Sequence, residues 1–227
     1  MKKGIFAGIS LSLFLALGCS GKQVLPNPEM CITRYPVVFV HGIGFRDKTG
    51  VVNYWGDTIS YLKGRGAKVY LGEGEAFGTV ETNAGILRTT VGRICAETGA
   101  EKVNIIAHSR GGIEARYMIS SLGMAHRVAS LTTIATPHRG SPMADLLVRK
   151  SESRMILDDF MNFYALLLGD DTPSSYKAGV ELTTWHMAQF NLENPDMPGV
   201  KYRSYAGFIN ESYPNPICRK SASVIAG

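Results

Sequence analysis

The order of apolar and polar positions along the chain predicts buried strands that alternate with amphipathic helices. Near-continuous apolar runs at residues 36–40 and 103–107 are typical of strands that a parallel sheet buries on both faces. The alternation continues, with further strands predicted at 68–71, 130–135 and 200–206 and helices at 54–63 (entered through Asn53), 82–97 and 111 to about 121. The pattern therefore predicts an α/β fold: a doubly wound, mostly parallel sheet with helices on both faces and ligands at the carboxyl ends of its strands.

A serine stands at the sharpest junction of this pattern. The strand at 103–107 stops just before Ser109, and Gly111 and Gly112 open the helix that follows. A strand, a tight turn with serine at its apex and a helix are the context of a nucleophile elbow, which needs small neighbours because helix and strand cross closely. Ala107 and Gly111 take the two glycine positions of the usual G-x-S-x-G. The pattern predicts an open Ser109 hydroxyl at the positive end of the helix; the alternative is a chance serine in a glycine-rich turn.

A second motif, His-Gly-Ile-Gly at residues 41–44, follows the first predicted strand. In a chain with a later elbow, a backbone N–H from such a loop and one from the residue after the nucleophile together hold an oxyanion. The expected donors are the N–H groups of Ile43 and Arg110, and the glycines let the backbone turn inward. His41 is expected to be a structural histidine rather than a catalytic one.

Composition places the chain among ordinary globular proteins. Its 227 residues are enough for one large α/β domain. Of these residues, 45% are apolar and 19% are charged, as in an ordinary globular protein. The net charge of +5 comes from scattered lysines and arginines, with no basic tract interleaved with aromatic residues. No nucleic-acid partner is therefore predicted.

The first residues read as a targeting segment. Residues 1–18 have a basic start and an apolar stretch that is too short for a comfortable membrane span, so they are predicted to be a signal peptide. Leu-Ala-Leu-Gly-Cys at 15–19 looks like the lipobox of a bacterial lipoprotein, cut before a Cys19 that carries lipid at the membrane or cell surface. An ordinary secretory signal is the alternative. Both interpretations predict an exported protein, with residues 19–34 as a tether.

Three further cysteines, Cys31, Cys95 and Cys218, permit at most one disulfide if Cys19 is lipidated. Their spacing matches no metal-binding motif, and ordinary core or surface thiols are expected.

Four motifs, in order, resemble those of bacterial triacylglycerol lipases of the α/β-hydrolase fold. They are Tyr-Pro-Val-Val-Phe-Val-His-Gly from residue 35, Tyr-Trp-Gly from 54, Lys-Val-Asn-Ile-Ile-Ala-His-Ser-Arg-Gly-Gly from 102 and Thr-Pro-His-Arg-Gly-Ser-Pro from 136. The resemblance covers residues from about 35 to 206 and implies a lipase or esterase domain at 35–227. Its substrates would be lipids or other esters, which it would degrade by hydrolysis.

The same motifs carry expectations for single residues. Ser109 resembles the family nucleophile, and Ile43 and Arg110 resemble its oxyanion donors. Arg116 resembles a buried structural arginine, paired with Glu114 or with an acid at the sheet edge.

The stretch at 146–180 falls where the family carries its lid. An amphipathic flap that opens at an oil surface would suit a lipid substrate, but a helix packed permanently on the core is an equally good interpretation. The residues behind the flap interpretation are apolar at helical spacing (Met155, Ile156, Phe160, Phe163, Tyr164 and Leu167) or acidic (Asp158, Asp159, Asp170 and Asp171).

The acid and base partners of the serine cannot be identified from the sequence. The family order is serine, then acid, then histidine, but no histidine follows His186 and Glu211 is the only acid after the last predicted strand. His138 and His186 are weak candidates for the base, and Glu211 for the acid. The resemblance implies that a further strand, a helix and the family's calcium ligands are missing, so no metal or cofactor is predicted. The chain is thus expected to be an ester hydrolase or, alternatively, a weak or catalytically dead remnant that at most binds lipid.

Overall fold

The computed structural model describes residues 29–49, 52–149, 162, 166, 168–171 and 173–207. Its strands are β1 (Val37–Val40), β2 (Lys48–Thr49), β3 (Val52–Asn53), β4 (Val69–Leu71), β5 (Val103–His108), β6 (Val128–Ile134) and β7 (Lys201–Tyr205). Its helices are α1 (Thr58–Lys63), α2 (Val80–Thr98), α3 (Gly111–Ser120), α4 (Pro142–Arg149), α5 (Ser175–Val180) and α6 (Thr184–Glu193), with a 3₁₀ turn at Met124–Arg127.

Five of these strands form one parallel sheet in the order β4-β1-β5-β6-β7, and β2 and β3 pair as a short antiparallel ribbon. The register places Val38 of β1 opposite Ile105 of β5, and Ile105 opposite Leu131 of β6. Parallel strands end at one edge, so the loops that follow the neighbouring strands β1 and β5 lie side by side. This sheet, with helices on both faces, confirms the predicted α/β class.

The hydrophobic core has two layers because alternate residues of each strand face opposite sides of the sheet. On one face Val38 and Ile105 pack in a fully buried cluster with residues of α2 and α3, such as Leu87 and Met118. On the other face a smaller cluster forms around Val37, Phe39, Ala67 and Val69, against Trp55 and the partly buried Ile59 and Leu62. The central strands β1 and β5 are therefore held from both sides, which gives the loops after them a rigid base.

The helix predicted at 54–63 begins later, at Thr58. The Asn53 side chain does not cap it: its Oδ1 accepts a hydrogen bond from the Trp55 N–H (3.3 Å) and its Nδ2 donates to the Gly56 carbonyl (2.7 Å). Asparagine commonly stabilises a turn in this way, in competition with helix. Residues 54–57 consequently form a turn, and Tyr54 is not part of the helix.

Several predictions fall on residues outside the described ranges. These include the signal and lipidation region up to residue 28 with Cys19, most of the apolar and acidic positions of the lid, Glu211 and Cys218. Helices α4 and α5 lie at the two ends of the predicted lid region. The described Cys31 and Cys95 are both free thiols. Within the ranges described, no helix is both long enough and apolar enough to cross a membrane.

Candidate active site

Ser109 sits on a strained turn between β5 and α3. Its φ of +53° lies in the left-handed region, which residues with a side chain rarely occupy. Two hydrogen bonds hold the turn there: the Ser109 N–H donates to the Ile134 carbonyl (2.9 Å), and Thr136 Oγ1 donates to the Ser109 carbonyl (2.7 Å). Strain of this kind persists only where the surroundings fix it, and it concentrates at functional sites.

Helix α3 can begin in close contact with the sheet only because its first two residues are glycines. A Cβ at Gly111 would lie 2.3 Å from the His41 carbonyl oxygen, and one at Gly112 would lie 2.3 Å from Thr136 Oγ1. Both positions therefore exclude any side chain. The close crossing brings the positive amino end of α3 directly behind Ser109.

The loop after β1 passes against the serine. A Cβ built on Gly42 would lie 2.8 Å from Ser109 Cβ and 3.3 Å from its Oγ. The N–H groups of the two predicted oxyanion donors, Ile43 and Arg110, donate no hydrogen bond to any described residue. Gly42 thus brings the loop that carries Ile43 against Ser109, and Arg110 follows Ser109 in the chain. Unpaired backbone N–H groups that point at a developing oxyanion stabilise it during acyl transfer.

Tyr54 joins the elbow to this loop, a role that the sequence analysis did not assign. Its hydroxyl oxygen accepts a hydrogen bond from the Gly42 N–H (3.0 Å) and lies 2.5 Å from His108 Nδ1. Burial raises the pKa of the Tyr54 phenol and lowers the pKa of His108, so it favours the neutral form of both groups. The only sequence signal was the Tyr-Trp-Gly motif, which carried no chemical role.

The Arg110 side chain turns away from the site into the protein and is 0% exposed. Its guanidinium donates to the Gly78 carbonyl and to Glu181 Oε2 (3.2 Å), and it lies 3.5 Å from Glu114 Oε1. Burial raises the pKa of Glu114, while the charges of Arg110 and His41 and a hydrogen bond from Asn83 lower it. One buried arginine thus ties the elbow to the amino end of α2 and to Glu181, just after α5.

Glu114, the first of the two partners expected for Arg116, is wrong. Arg116 donates to Asn191 Oδ1 (2.8 Å) and to the Asn194 carbonyl (3.0 Å), whereas Glu114 interacts with Arg110. Residues two apart on a helix point in different directions, while residues four apart share a face. Arg116 therefore fastens α3 to the carboxyl end of α6.

Neither histidine proposed as the base is hydrogen-bonded to Ser109. The ring of His138 has Thr133 Oγ1 at 3.0 Å from Nε2 and an Arg116 nitrogen at 3.4 Å from Nδ1. Burial and the positive charge of Arg116 lower the pKa of His138. His186 lies in the first turn of α6, edge-on to Trp185.

The described residues therefore bring Ser109 next to Arg110 and against the loop that carries Ile43, but they place no acid–base pair at the Ser109 hydroxyl. Glu211 lies outside the described ranges. Among the residues the structure covers, no group of three or more His, Cys, Asp or Glu side chains is arranged to hold a metal ion.

Comparison with known proteins places this geometry in a family. The family model for palmitoyl protein thioesterase matches residues 36–176. A triacylglycerol lipase of Burkholderia plantarii is 38% identical over 205 residues, covering 83% of this chain and 57% of the relative. One of Pseudarthrobacter phenanthrenivorans is 38% identical over 176 residues, covering 73% and 54%. The chain thus spans about half the length of these curated relatives.

Solved structures show the same fold. The mature Bacillus licheniformis lipase BlEst2 superposes with a TM-score of 0.58 at 24% identity, covering 75% of this chain and 64% of that one. A metagenomic carboxyl esterase, MGS0156, gives a TM-score of 0.56 at 18% identity, covering 87% and 56%. The chain therefore belongs to the palmitoyl protein thioesterase family, and the predicted resemblance to bacterial triacylglycerol lipases of the α/β-hydrolase fold is confirmed.

Proposed function

We propose that this protein is a carboxylic ester hydrolase that acts on lipids or other esters, with Ser109 as its nucleophile. The observation that carries the proposal is the position of Ser109, on a turn with positive φ and directly against the loop that follows β1. Its curated relatives in Burkholderia plantarii and Pseudarthrobacter phenanthrenivorans are triacylglycerol lipases, which supports a lipid ester as the substrate.

In the proposed reaction Ser109 Oγ attacks the ester carbonyl carbon and the carbonyl oxygen becomes an oxyanion. The N–H groups of Ile43 and Arg110, which have no other partner among the described residues, donate to that oxygen. The carbonyl then re-forms, the bond to the alkoxy oxygen breaks, and the alcohol leaves with the proton that Ser109 has lost. Water hydrolyses the acyl-enzyme, which releases the acid and returns a proton to Ser109. Each oxyanion donor of this kind typically contributes on the order of 10²- to 10³-fold in kcat.

The step that limits this chemistry is removal of the Ser109 proton. No histidine or carboxylate among the described residues is hydrogen-bonded to Ser109 Oγ, although all five histidines of the chain are described. Loss of an acid–base pair lowers the rate of such enzymes by roughly 10⁴- to 10⁶-fold. This observation favours a second candidate function, a very weak or inactive hydrolase that retains lipid binding.

Hydrolysis of a short-chain nitrophenyl ester by purified, monomeric protein separates the two candidates. Wild type is compared with Ser109→Ala and with Ser60→Ala, a matched control on the exposed side of α1. Ester hydrolysis supports the first candidate if it occurs in wild type and Ser60→Ala and is lost in Ser109→Ala. Equal background rates in all three proteins contradict it, and binding to phospholipid vesicles would then support the second candidate.

We also propose that the protein is exported and attached to a membrane through lipid on Cys19. Support comes from the basic start, the short apolar stretch and the Leu-Gly-Cys sequence before Ser20. Two ester-linked chains and one amide-linked chain would hold such a protein firmly at a membrane face, because stable anchoring needs more than one acyl chain.

A further inference from the structure

The imidazole of His41 lies beneath the loop that contains the proposed oxyanion donor. It is 2% exposed, and each of its ring nitrogens faces a backbone carbonyl: Nδ1 lies 2.8 Å from the Gly42 oxygen and Nε2 lies 3.0 Å from the Gly74 oxygen. A carbonyl oxygen can only accept, so each contact is a hydrogen bond only if its ring nitrogen carries a proton. The Nδ1 contact is the one that touches the loop.

The Gly42 carbonyl belongs to the same peptide group as the Ile43 N–H. A trans peptide is planar, and its C=O and N–H point in opposite directions; no cis peptide occurs among the described residues. A hydrogen bond that fixes the direction of the Gly42 oxygen therefore also fixes the direction of the Ile43 N–H. This matters because that N–H has no partner of its own in the described chain.

The neighbouring peptide groups are already fixed by other contacts. The Gly42 N–H donates to the Tyr54 hydroxyl (3.0 Å), and the Gly44 N–H donates to the Ala76 carbonyl (2.8 Å). The peptide between Gly42 and Ile43 lacks any such contact through its N–H, so His41 is its only described hydrogen-bond partner. Without that bond, the peptide can rotate between two well-anchored neighbours.

We propose that His41 is a positioning residue of the oxyanion hole, whose Nδ1–H holds the Gly42 carbonyl and so aims the Ile43 N–H at the substrate oxygen. The inference rests on the proposed function of Ser109. His41 is buried and need not touch the substrate. Donation to the carbonyl also polarises the peptide and strengthens its N–H as a donor, since linked hydrogen bonds reinforce each other.

Two further contacts hold the ring of His41 in place. The second carbonyl, at Gly74, lies in the loop before α2. The Tyr54 ring packs edge-on against the imidazole, with centroids 5.8 Å apart. These contacts keep Nδ1 beside the Gly42 carbonyl.

Two substitutions each preserve one of the two hydrogen bonds. The amide nitrogen of asparagine occupies about the position of Nδ1, and that of glutamine about the position of Nε2. His41→Asn therefore keeps the donor to Gly42, whereas His41→Gln keeps the donor to Gly74. Both variants replace the same imidazole by a neutral amide, so each is the matched control for the other.

The activity test compares kcat and KM of the two variants for a nitrophenyl ester. His41→Asn should retain kcat within about fivefold of wild type, while His41→Gln should lose about 10- to 100-fold in kcat with little change in KM, because a misdirected donor acts mainly on the transition state. Binding of an alkyl boronic acid, which mimics the tetrahedral intermediate, should weaken in His41→Gln alone. Equal losses in both variants, or an effect on KM alone, would overturn the proposal.

A second readout does not depend on activity. In ¹⁵N NMR spectra of the whole protein, His41 Nδ1 should be protonated, and the Ile43 amide resonance should shift strongly in His41→Gln but little in His41→Asn. An unprotonated Nδ1, or an Ile43 resonance that responds equally to both substitutions, would overturn the inference. If wild type neither hydrolyses esters nor reacts with serine-directed probes, the proposed function fails, and the NMR result still decides the role of His41.

Discussion

Replacement of Gly42 by alanine should disable the site while leaving the fold intact. The added methyl carbon would lie 2.8 Å from Ser109 Cβ, 3.0 Å from the Tyr54 hydroxyl oxygen and 3.3 Å from Ser109 Oγ. Non-bonded carbon atoms prefer a separation of about 3.5–4.0 Å, so the serine or the loop has to move by about 0.7 Å or more. Gly42 does not have a positive φ, so the effect is steric and not conformational.

A displacement of about 1 Å at a reacting centre costs on the order of 10²-fold in rate. We therefore expect kcat for a nitrophenyl ester to fall about 10²-fold in Gly42→Ala. The reaction of Ser109 with serine-directed probes should slow to a similar extent. The control is Gly85→Ala on α2, where a new Cβ meets nothing within 4 Å. That variant should keep full activity and gain about 0.5–1 kcal/mol of stability. A folded Gly42→Ala protein with activity within threefold of wild type would refute the steric argument.

Three further predictions concern other parts of the molecule. Tyr54→Phe removes the link between the Gly42 N–H and His108 and should lower kcat more than it raises KM; an unchanged kcat would exclude a positioning role. Arg110→Met leaves Glu114 and Glu181 without their buried partner and should lower the free energy of unfolding in urea by about 3–5 kcal/mol. Arg93→Met removes an exposed ion pair and should lower the same free energy by less than about 1 kcal/mol. Equal effects of the two arginine substitutions would contradict the burial argument. Palmitate fed to the expressing cells should label the wild-type protein but not Cys19→Ala, and equal labelling of both would contradict lipidation.

The fold and the elbow could be predicted because their signals are local. The apolar run of β5, the serine and the two glycines of α3 lie within ten consecutive residues, from 103 to 112. Each position constrains its neighbours, since a tight strand-to-helix crossing needs small residues at fixed places. The sheet followed from the repeated alternation of such segments.

The contacts that shape the site could not be predicted, since they join residues far apart in sequence. His41 reaches Gly74, 33 residues away, and Arg110 reaches Glu181, 71 residues away. No periodicity relates these positions, and a buried arginine has the same sequence signature as an exposed one. The pairing of Arg116 with Glu114, which the resemblance implied, fails because residues two apart on a helix point in different directions.

The late start of α1 shows a competition that sequence patterns do not resolve. Asn53 suits both a helix cap and a turn, and here its side chain bonds to Trp55 and Gly56 within a turn. The choice places Tyr54 beside the loop after β1, where it contacts Gly42. The sequence pattern predicted only the helix, and packing of Trp55 against Phe39 accompanies the turn that is observed.

The central claim is that Ser109 is the nucleophile, and covalent labelling tests it most directly. A fluorophosphonate probe is incubated with the purified protein, and the modified residue is identified by mass spectrometry of proteolytic peptides, with Ser109→Ala and Ser60→Ala in parallel. The account predicts one modification, on Ser109, that is slow where no base assists it, is retained in Ser60→Ala and is absent from Ser109→Ala. Modification of another residue, or labelling that persists in Ser109→Ala, would contradict it.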